Sequence, residues 1–167
     1  MSPSVGLSQP WRFIELEDPK RRQHIITSFE KCNADALATY SGKDKTNYAK
    51  LKLEGLHQAP VQLAVFANNA TTKGKQLGRM TMPEMAAYSV VTAIYAFWLA
   101  ARARGLGVGW VSILNPQEVC KACDAPDDWQ FIAYLCIGWP QTDGLIPELE
   151  TLGWETRDDL SKYYKKL

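Results

Sequence analysis

The sequence has almost no excess charge of either sign and very few histidines. Its 167 residues include 19 Lys and Arg against 18 Asp and Glu, which leaves a formal net charge of +1. No basic excess is available to neutralise phosphates, so a nucleic-acid partner is not expected. The two histidines, His24 and His57, stand in no recognisable arrangement with a serine or cysteine, so histidine-based acid–base chemistry is not indicated.

Cysteines are also few, and their spacing does not indicate a zinc site. Cys120 and Cys123 form a C-x-x-C pair, but a helix starting at Asn115-Pro116 places Cys120 a full turn inside it. A redox pair would stand at the helix N-terminus, so we interpret both as packing residues and expect no metal. No basic and apolar leader is visible at the start, which favours free thiols and a cytoplasmic location.

Hydrophobic periodicity predicts four strands, at residues 11–16, 61–66, 107–113 and 131–138. Helices are expected from Asp18-Pro19 to about Asn33, from Pro83 to Arg104-Gly105, and after Asn115-Pro116. Strands and helices do not alternate regularly, so the expected fold class is α+β. We expect a single domain over residues 1–167, ending in an extended arm from about residue 139.

One uncharged segment is long enough to raise the question of a membrane span. Residues 85–101 contain no charged side chain, and 17 residues are at the lower limit for crossing a bilayer. The segment is rich in alanine and also carries Ser, Thr and two Tyr. We interpret it as a helix buried on nearly all sides in a soluble core, and expect no membrane association.

Two glycine-containing segments are candidates for ligand contact. Gly105, Gly107 and Gly109 precede Trp110, and alternating glycines allow a flat ligand or another backbone to approach closely. Tight packing of a helix on the strand explains them equally well. The loop at residues 3–11 is dense in hydroxyl and amide groups at the entry to a strand, where it can present hydrogen-bond donors to a ligand.

Taken together, these motifs resemble the nitroreductase superfamily, and more narrowly its flavin-fragmenting 5,6-dimethylbenzimidazole synthase branch. The resemblance covers nearly the whole chain in order. It is carried by Ser4-Val5-Gly6 with Gln9-Pro10-Trp11, Leu51-Lys52-Leu53-Glu54-Gly55, Leu77-Gly78-Arg79-x-Thr81-x-Pro83-Glu84-Met85, Trp98-Leu99-Ala100-Ala101-Arg102-Ala103, Gly107-Val108-Gly109-Trp110-Val111-Ser112, and Pro147-Glu148-Leu149 with Gly153-Trp154.

The resemblance implies a nitroreductase-like mixed sheet with flanking helices. It implies a homodimer that binds FMN at the subunit interface. NAD(P)H would reduce the FMN, and O2 would then fragment the reduced flavin to 5,6-dimethylbenzimidazole, the lower ligand of cobalamin, and erythrose 4-phosphate. The flavin would therefore be the substrate, while the protein supplies orientation and a dry pocket.

The resemblance also assigns site residues. Ser112 matches a catalytic serine near the isoalloxazine ring. Ser4, Gly6 and Gln9 match the loop against the ring and ribityl chain, and Lys50 and Leu51 lie where the lid meets the flavin. Arg157 matches a C-terminal arginine suited to the FMN phosphate, because its planar charged fork pairs well with a dianion.

The family carries an N-terminal helix with an Arg-Arg-Asp-x-Arg block that grips the phosphate and supplies an aspartate. The matched motifs begin after that block, so we expect a chain shortened at its N-terminus relative to the family. Two other functions stay open from the sequence. One is a general FMN-dependent NAD(P)H oxidoreductase of the same fold, and the other is a non-catalytic or degenerate flavin-binding homologue.

Overall fold

All four predicted strands are present in the computed structural model, which describes residues 2–51, 55–141 and 144–166. They form one sheet in the order β1–β2–β4–β3. Their bounds are β1 (Trp11–Glu15), β2 (Val61–Asn68), β3 (Gly107–Val111) and β4 (Trp129–Gly138). With helices packed on this sheet, the α+β class is confirmed. Lys52, Leu53 and Glu54 of the sequence motif lie outside the described residues.

The expectation of a mixed sheet is wrong for the described residues, where every neighbouring pair of strands is antiparallel. The long helix α4 (Met85–Arg102) connects β2 to β3, and these two strands run in the same direction. They do not pair, because β4 lies between them and runs the opposite way to both. β2 and β3 are therefore parallel to each other, as expected for strands connected by a helix, but no hydrogen bonds join them directly.

Helices α1 (Pro19–Thr39) and α5 (Pro116–Ala122) begin where their capping residues, Asp18 and Asn115, predict. Before α1, the carboxylate of Asp18 accepts a hydrogen bond from the Lys20 N–H at 2.9 Å. This helix ends at Thr39, six residues beyond the predicted Asn33. It is followed by α2 (Gly42–Ala49), α3 (Gly55–Gln58), α5 and α6 (Glu148–Thr151), with 3₁₀ turns at Val5–Leu7 and Leu160–Tyr163.

Helices cover both faces of the sheet, because successive strand residues point to opposite sides. In β2, Phe66 packs in a cluster with Ile25 and Phe29 of α1. Its neighbour Val65 packs in a second cluster with Val90 of α4. Both central strands, β2 and β4, contribute side chains to the two clusters, so the core is a sheet between two helical layers.

The prediction that α4 is buried on nearly all sides is wrong. Among the described helices, α4 alone is long and apolar enough to cross a membrane by length and composition, and 33% of its 18-residue window is buried. The sheet covers only the face that carries residues such as Val90 and Ile94. The opposite face leaves large apolar side chains exposed: Tyr88, Val91, Tyr95, Trp98 and Leu99.

A buried hydrogen-bond network joins the two central strands. The Tyr134 hydroxyl of β4 donates to Gln62 Oε1 of β2 at 2.8 Å, and both residues are almost completely buried. Gln62 Nε2 donates in turn to the Leu56 carbonyl at 2.9 Å, which connects α3 to the sheet. Burial raises the pKa of the Tyr134 hydroxyl, so it remains a neutral donor.

Replacing Tyr134 with phenylalanine removes the hydroxyl donor, so the buried Gln62 Oε1 loses this hydrogen bond. We expect Tyr134→Phe to lower the free energy of unfolding by about 1–3 kcal/mol, the usual cost of an unsatisfied buried polar group. Urea unfolding measures the change. Tyr48→Phe is the control, because its hydroxyl donates to Asn33 Oδ1 at 2.8 Å in a partly buried site and its loss should cost less. Equal losses in both variants would contradict the role of this network.

Candidate functional site

The loop before β1 is held in an unusual backbone conformation. Gly6 has φ +54°, and the non-glycine residues Leu7 and Gln9 also have positive φ, at +56° and +46°. The left-handed region costs about 1–2 kcal/mol for a residue with a side chain. The Ser4 hydroxyl oxygen accepts the Gln9 N–H at 3.1 Å and closes the loop. Strained backbone conformations of this kind are found mainly at functional sites, and they persist only where surrounding contacts hold them.

The surrounding contacts come from the segment between β2 and α4, residues 69–84, which we call the clamp loop. Its Gly74 lies so close to Gly6 that a Cβ at Gly74 would stand 2.5 Å from the Gly6 carbonyl oxygen. The ammonium group of Lys73 in the clamp loop donates to Gln9 Oε1. From α4, the Ser89 hydroxyl oxygen accepts the Val5 N–H at 3.0 Å. The Ser4–Gln9 loop is therefore fixed by two other parts of the chain.

Arg79 holds the clamp loop itself. This side chain is only 8% exposed, and its two terminal nitrogens donate to the carbonyls of Thr71 and Asn69 at 2.9 and 2.5 Å. A buried guanidinium that bonds two carbonyls of one loop makes the loop compact. Gly74 and Gly78, with φ of +84° and +76°, are the signal that indicates its tight packing.

An apolar cleft of about 460 Å³ opens beside the Ser4–Gln9 loop, between β1 and α4. Aromatic side chains and small alanines form most of its wall, and Gln9 supplies a polar group at its edge. This combination suits a flat ring system with polar edge atoms. The lining residues are Ser2, Gln9, Trp11, Phe13, Ala93, Ala96 and Phe97.

Ser112 lies far from this loop within one chain. It directly follows β3, whereas the Ser4–Gln9 loop precedes β1, and these strands form opposite edges of the sheet. Three strand spacings separate the edges, which is about 14 Å. β3 runs toward the end of the sheet at which β1 begins, but its last residue, Val111, is level with Ile14 near the end of β1. Ser112 is exposed, so its hydroxyl is accessible from outside the chain.

The other three predicted site residues lie in a third region. Lys50 and Leu51 directly follow α2, and Arg157 is exposed in the segment after α6. An aromatic cluster that sequence reasoning missed links these parts. The Trp154 ring packs 5.7 Å from the Tyr40 ring and 6.0 Å from the Tyr48 ring, measured between centroids. The segment that carries Arg157 is thereby anchored beside the end of α2.

The cysteines do not form a reactive site. Cys32, Cys120, Cys123 and Cys136 are all free thiols. Burial raises the pKa of Cys123 and of Cys136 to about 12 and also raises that of Cys120, so these thiols stay protonated at neutral pH. Within the described residues, no group of three or more His, Cys, Asp or Glu side chains is placed to hold a metal ion.

Residues 1–139 match the model of the nitroreductase family, and the chain belongs to that family. Over 157 residues it is 59% identical to the 5,6-dimethylbenzimidazole synthase of Rhodospirillum rubrum, which covers 94% of this chain and 74% of the relative. It is 44% identical over 155 residues to the enzyme of the same name from Rhodobacter capsulatus, covering 93% and 75%. The resemblance to the synthase branch is confirmed, and the chain spans about three quarters of these relatives.

Solved structures share the fold. An iodotyrosine deiodinase bound to FMN and 3-iodo-L-tyrosine superposes with a TM-score of 0.68 at 23% identity, covering 88% of this chain and 80% of that one. A BluB-like flavoprotein from Clostridium difficile 630 superposes with a TM-score of 0.68 at 19% identity, covering 99% and 83%. The nitroreductase-like architecture expected from the sequence is thus confirmed.

The contact between Gly74 and Gly6 leads to a testable prediction. Gly74→Ala places a methyl group against the Gly6 carbonyl and should displace the Ser4–Gln9 loop. A positive φ alone costs a residue with a side chain about 1–2 kcal/mol. We expect Gly74→Ala to lower the free energy of unfolding by more than this amount. We also expect it to weaken FMN binding in a fluorescence titration.

Gly42→Ala is the matched control. Gly42 also has a positive φ, of +53°, but a Cβ there would meet nothing within 4 Å. It should therefore show the backbone cost alone and leave FMN binding unchanged. If both variants lost the same stability and bound FMN equally, the clamp loop would not be what holds the Ser4–Gln9 loop.

Proposed function

We propose that this chain is a 5,6-dimethylbenzimidazole synthase, which fragments reduced FMN with O2 to 5,6-dimethylbenzimidazole and erythrose 4-phosphate. The observation that carries the proposal is the strained Ser4–Gln9 loop beside an apolar cleft whose lining suits a flat ring. It stands in a chain that is 59% identical to a synthase of that name. Such a product would serve as the lower ligand of cobalamin.

The residues present fit a flavin. The cleft has aromatic and alanine walls for the isoalloxazine ring, and the adjoining loop offers polar groups for the ring edge. The Ser4 hydroxyl uses its oxygen to accept the Gln9 N–H, which leaves its proton available for a ligand acceptor. The side chain of Ser8 is 1% exposed and its hydroxyl has no partner among the described residues, so a polar atom remains unused at this site.

In this proposal the flavin supplies the redox chemistry when bound, and the protein orients it and excludes water. Ser4, Gly6 and Gln9 hold the ring and ribityl chain. Ser112 donates its hydroxyl proton where negative charge develops during the reaction, which is the kind of contact that accelerates chemistry more than binding.

Arg157 pairs with the flavin phosphate, and Lys50 and Leu51 cover the flavin as part of a lid. The guanidinium of Arg157 is exposed in an anchored segment, which suits the capture of a charged group from solvent. Its planar fork matches the geometry of a phosphate dianion.

A homodimer is part of the proposal, because one chain holds the two halves of the site apart. The Ser4–Gln9 loop and Ser112 lie on opposite edges of the sheet, so a second copy is needed to bring Ser112 to the loop. The exposed apolar face of α4, with Tyr95 and Trp98, is a surface that a second copy would cover. The site would then contain the loop of one protomer and the serine of its partner.

NAD(P)H as reductant, O2 as co-substrate and a cytoplasmic location complete the proposal. The four free thiols support the location, because free cysteines are typical of a reducing compartment. The reductant acts before fragmentation, since only reduced flavin is consumed.

Two substitutions separate binding from chemistry. Ser112→Gly should bind FMN within about three-fold of the parent but form 5,6-dimethylbenzimidazole about a hundred-fold more slowly, because its hydrogen bond matters mainly in the transition state. Arg157→Gln should raise the dissociation constant for FMN about ten- to a hundred-fold and change turnover at saturation far less. A flavin titration and a product assay with reduced FMN under air measure both.

The same assay distinguishes the alternatives. FMN reduction by NAD(P)H without dimethylbenzimidazole would indicate a general oxidoreductase, and no flavin binding would indicate a degenerate homologue. If Ser112→Gly formed product at the parent rate, the assignment of Ser112 would be wrong.

The assembly is tested independently by sedimentation at micromolar concentration. We expect the parent chain to be a dimer and Tyr95→Lys to be a monomer, because a charge would be buried against the partner. Gln23→Lys, at an exposed position of α1, is the control and should remain a dimer. A monomeric parent would contradict the shared site.

A further inference from the structure

The segment that carries Ser112 is short and is held at both ends. Only residues 112–115 connect β3 to α5. At one end, Val111 pairs with Tyr134 of β4. At the other end, Asn115 caps α5, with its side-chain oxygen accepting the N–H groups of Gln117 and Glu118 at 2.9 and 3.3 Å. The position of Ser112 therefore depends on where β3 ends and where Asn115 is held.

Asn115 is held by a side chain from α1. Its backbone N–H donates to the Ser28 hydroxyl oxygen at 3.2 Å, across 87 residues of sequence. Ser28 is only 8% exposed and lies between Ile25 and Phe29, which are buried in the core cluster on that face of the sheet. The hydroxyl is thus on a rigid part of α1. It is an acceptor for the backbone of the segment that carries Ser112.

A second contact joins the same two helices one turn away. His24 Nε2 of α1 lies 2.6 Å from Glu118 Oε2 in the first turn of α5. Both side chains are partly exposed, at 41% and 44%, so this contact is weaker support than the one made by buried Ser28. Together they fix the start of α5 against α1 at two successive points.

We propose that Ser28 is a positioning residue for Ser112, acting through the backbone of Asn115. The proposal rests on the proposed function, in which Ser112 touches the flavin. Without the Ser28 acceptor, the Asn115 N–H loses its partner, and the four-residue segment is free to shift. A displacement of about 1 Å at a reacting group is enough to lower a rate by a hundred-fold. Flavin affinity should change little, because Ser28 lies outside the surfaces that hold the flavin.

The experiment uses three variants of the full chain. Ser28→Ala removes the acceptor and changes little else. Ser28→Thr retains the hydroxyl, and its extra methyl group can enter the cleft of about 350 Å³ between α1 and α5 that Ser28 lines. Thr27→Ala is the matched control, since the Thr27 hydroxyl lines the same cleft but donates to the Gln23 carbonyl of its own helix at 3.0 Å.

We expect Ser28→Ala to form 5,6-dimethylbenzimidazole ten- to a hundred-fold more slowly while binding FMN within about three-fold of the parent. Ser28→Thr should recover the rate to within about three-fold, and Thr27→Ala should match the parent. Amide hydrogen exchange at Asn115 should be faster in Ser28→Ala alone.

The readouts distinguish the positioning role of Ser28 from the proposed function. A parent chain that binds FMN and forms no product would refute the proposed function, whereas the exchange rate at Asn115 reports on the anchor in any case. The positioning role is overturned if Ser28→Ala retains the parent rate. It is also overturned if exchange at Asn115 does not change, or if Thr27→Ala loses as much activity as Ser28→Ala.

Discussion

The antiparallel pairing of β2 with β4 is the constraint on which the rest of the structure depends. These two strands fill the centre of the sheet and contribute side chains to both core clusters, so both helical layers pack against them. The buried contact between Gln62 and Tyr134 ties them together away from water, where an unsatisfied polar atom would be costly. Because β4 lies between β2 and β3, it also separates the two edges that carry the candidate site residues.

The separation of the edges has a direct consequence for function. A site that needs both the Ser4–Gln9 loop and Ser112 is incomplete in one chain, since about 14 Å of sheet lies between the strands that carry them. The same chain exposes an apolar face on α4, which a second copy would remove from water. The proposed dimer would account for both the shared flavin site and the exposed helix face.

Local strain and its support are distributed over distant parts of the sequence. Gly6, Leu7 and Gln9 adopt left-handed backbone conformations that a free loop would leave. Gly74 of the clamp loop and Ser89 of α4 hold them in place. Ser112 shows the same arrangement at the other edge, where Ser28 of α1 binds the backbone of its segment. In both cases, residues that are distant in the sequence support a short segment that carries candidate site residues.

The sequence by itself determined the strands, the starts of α1 and α5, and the family, because each depends on local periodicity, on the capping residues Asp18 and Asn115, or on contiguous motifs. Only the tertiary structure decided that the sheet is antiparallel, that one face of α4 is exposed, and that Ser28 reaches Asn115. These features depend on which strand lies between β2 and β3 and on contacts between residues far apart in the chain. Local spacing carries no record of such contacts, since packing of distant segments establishes them.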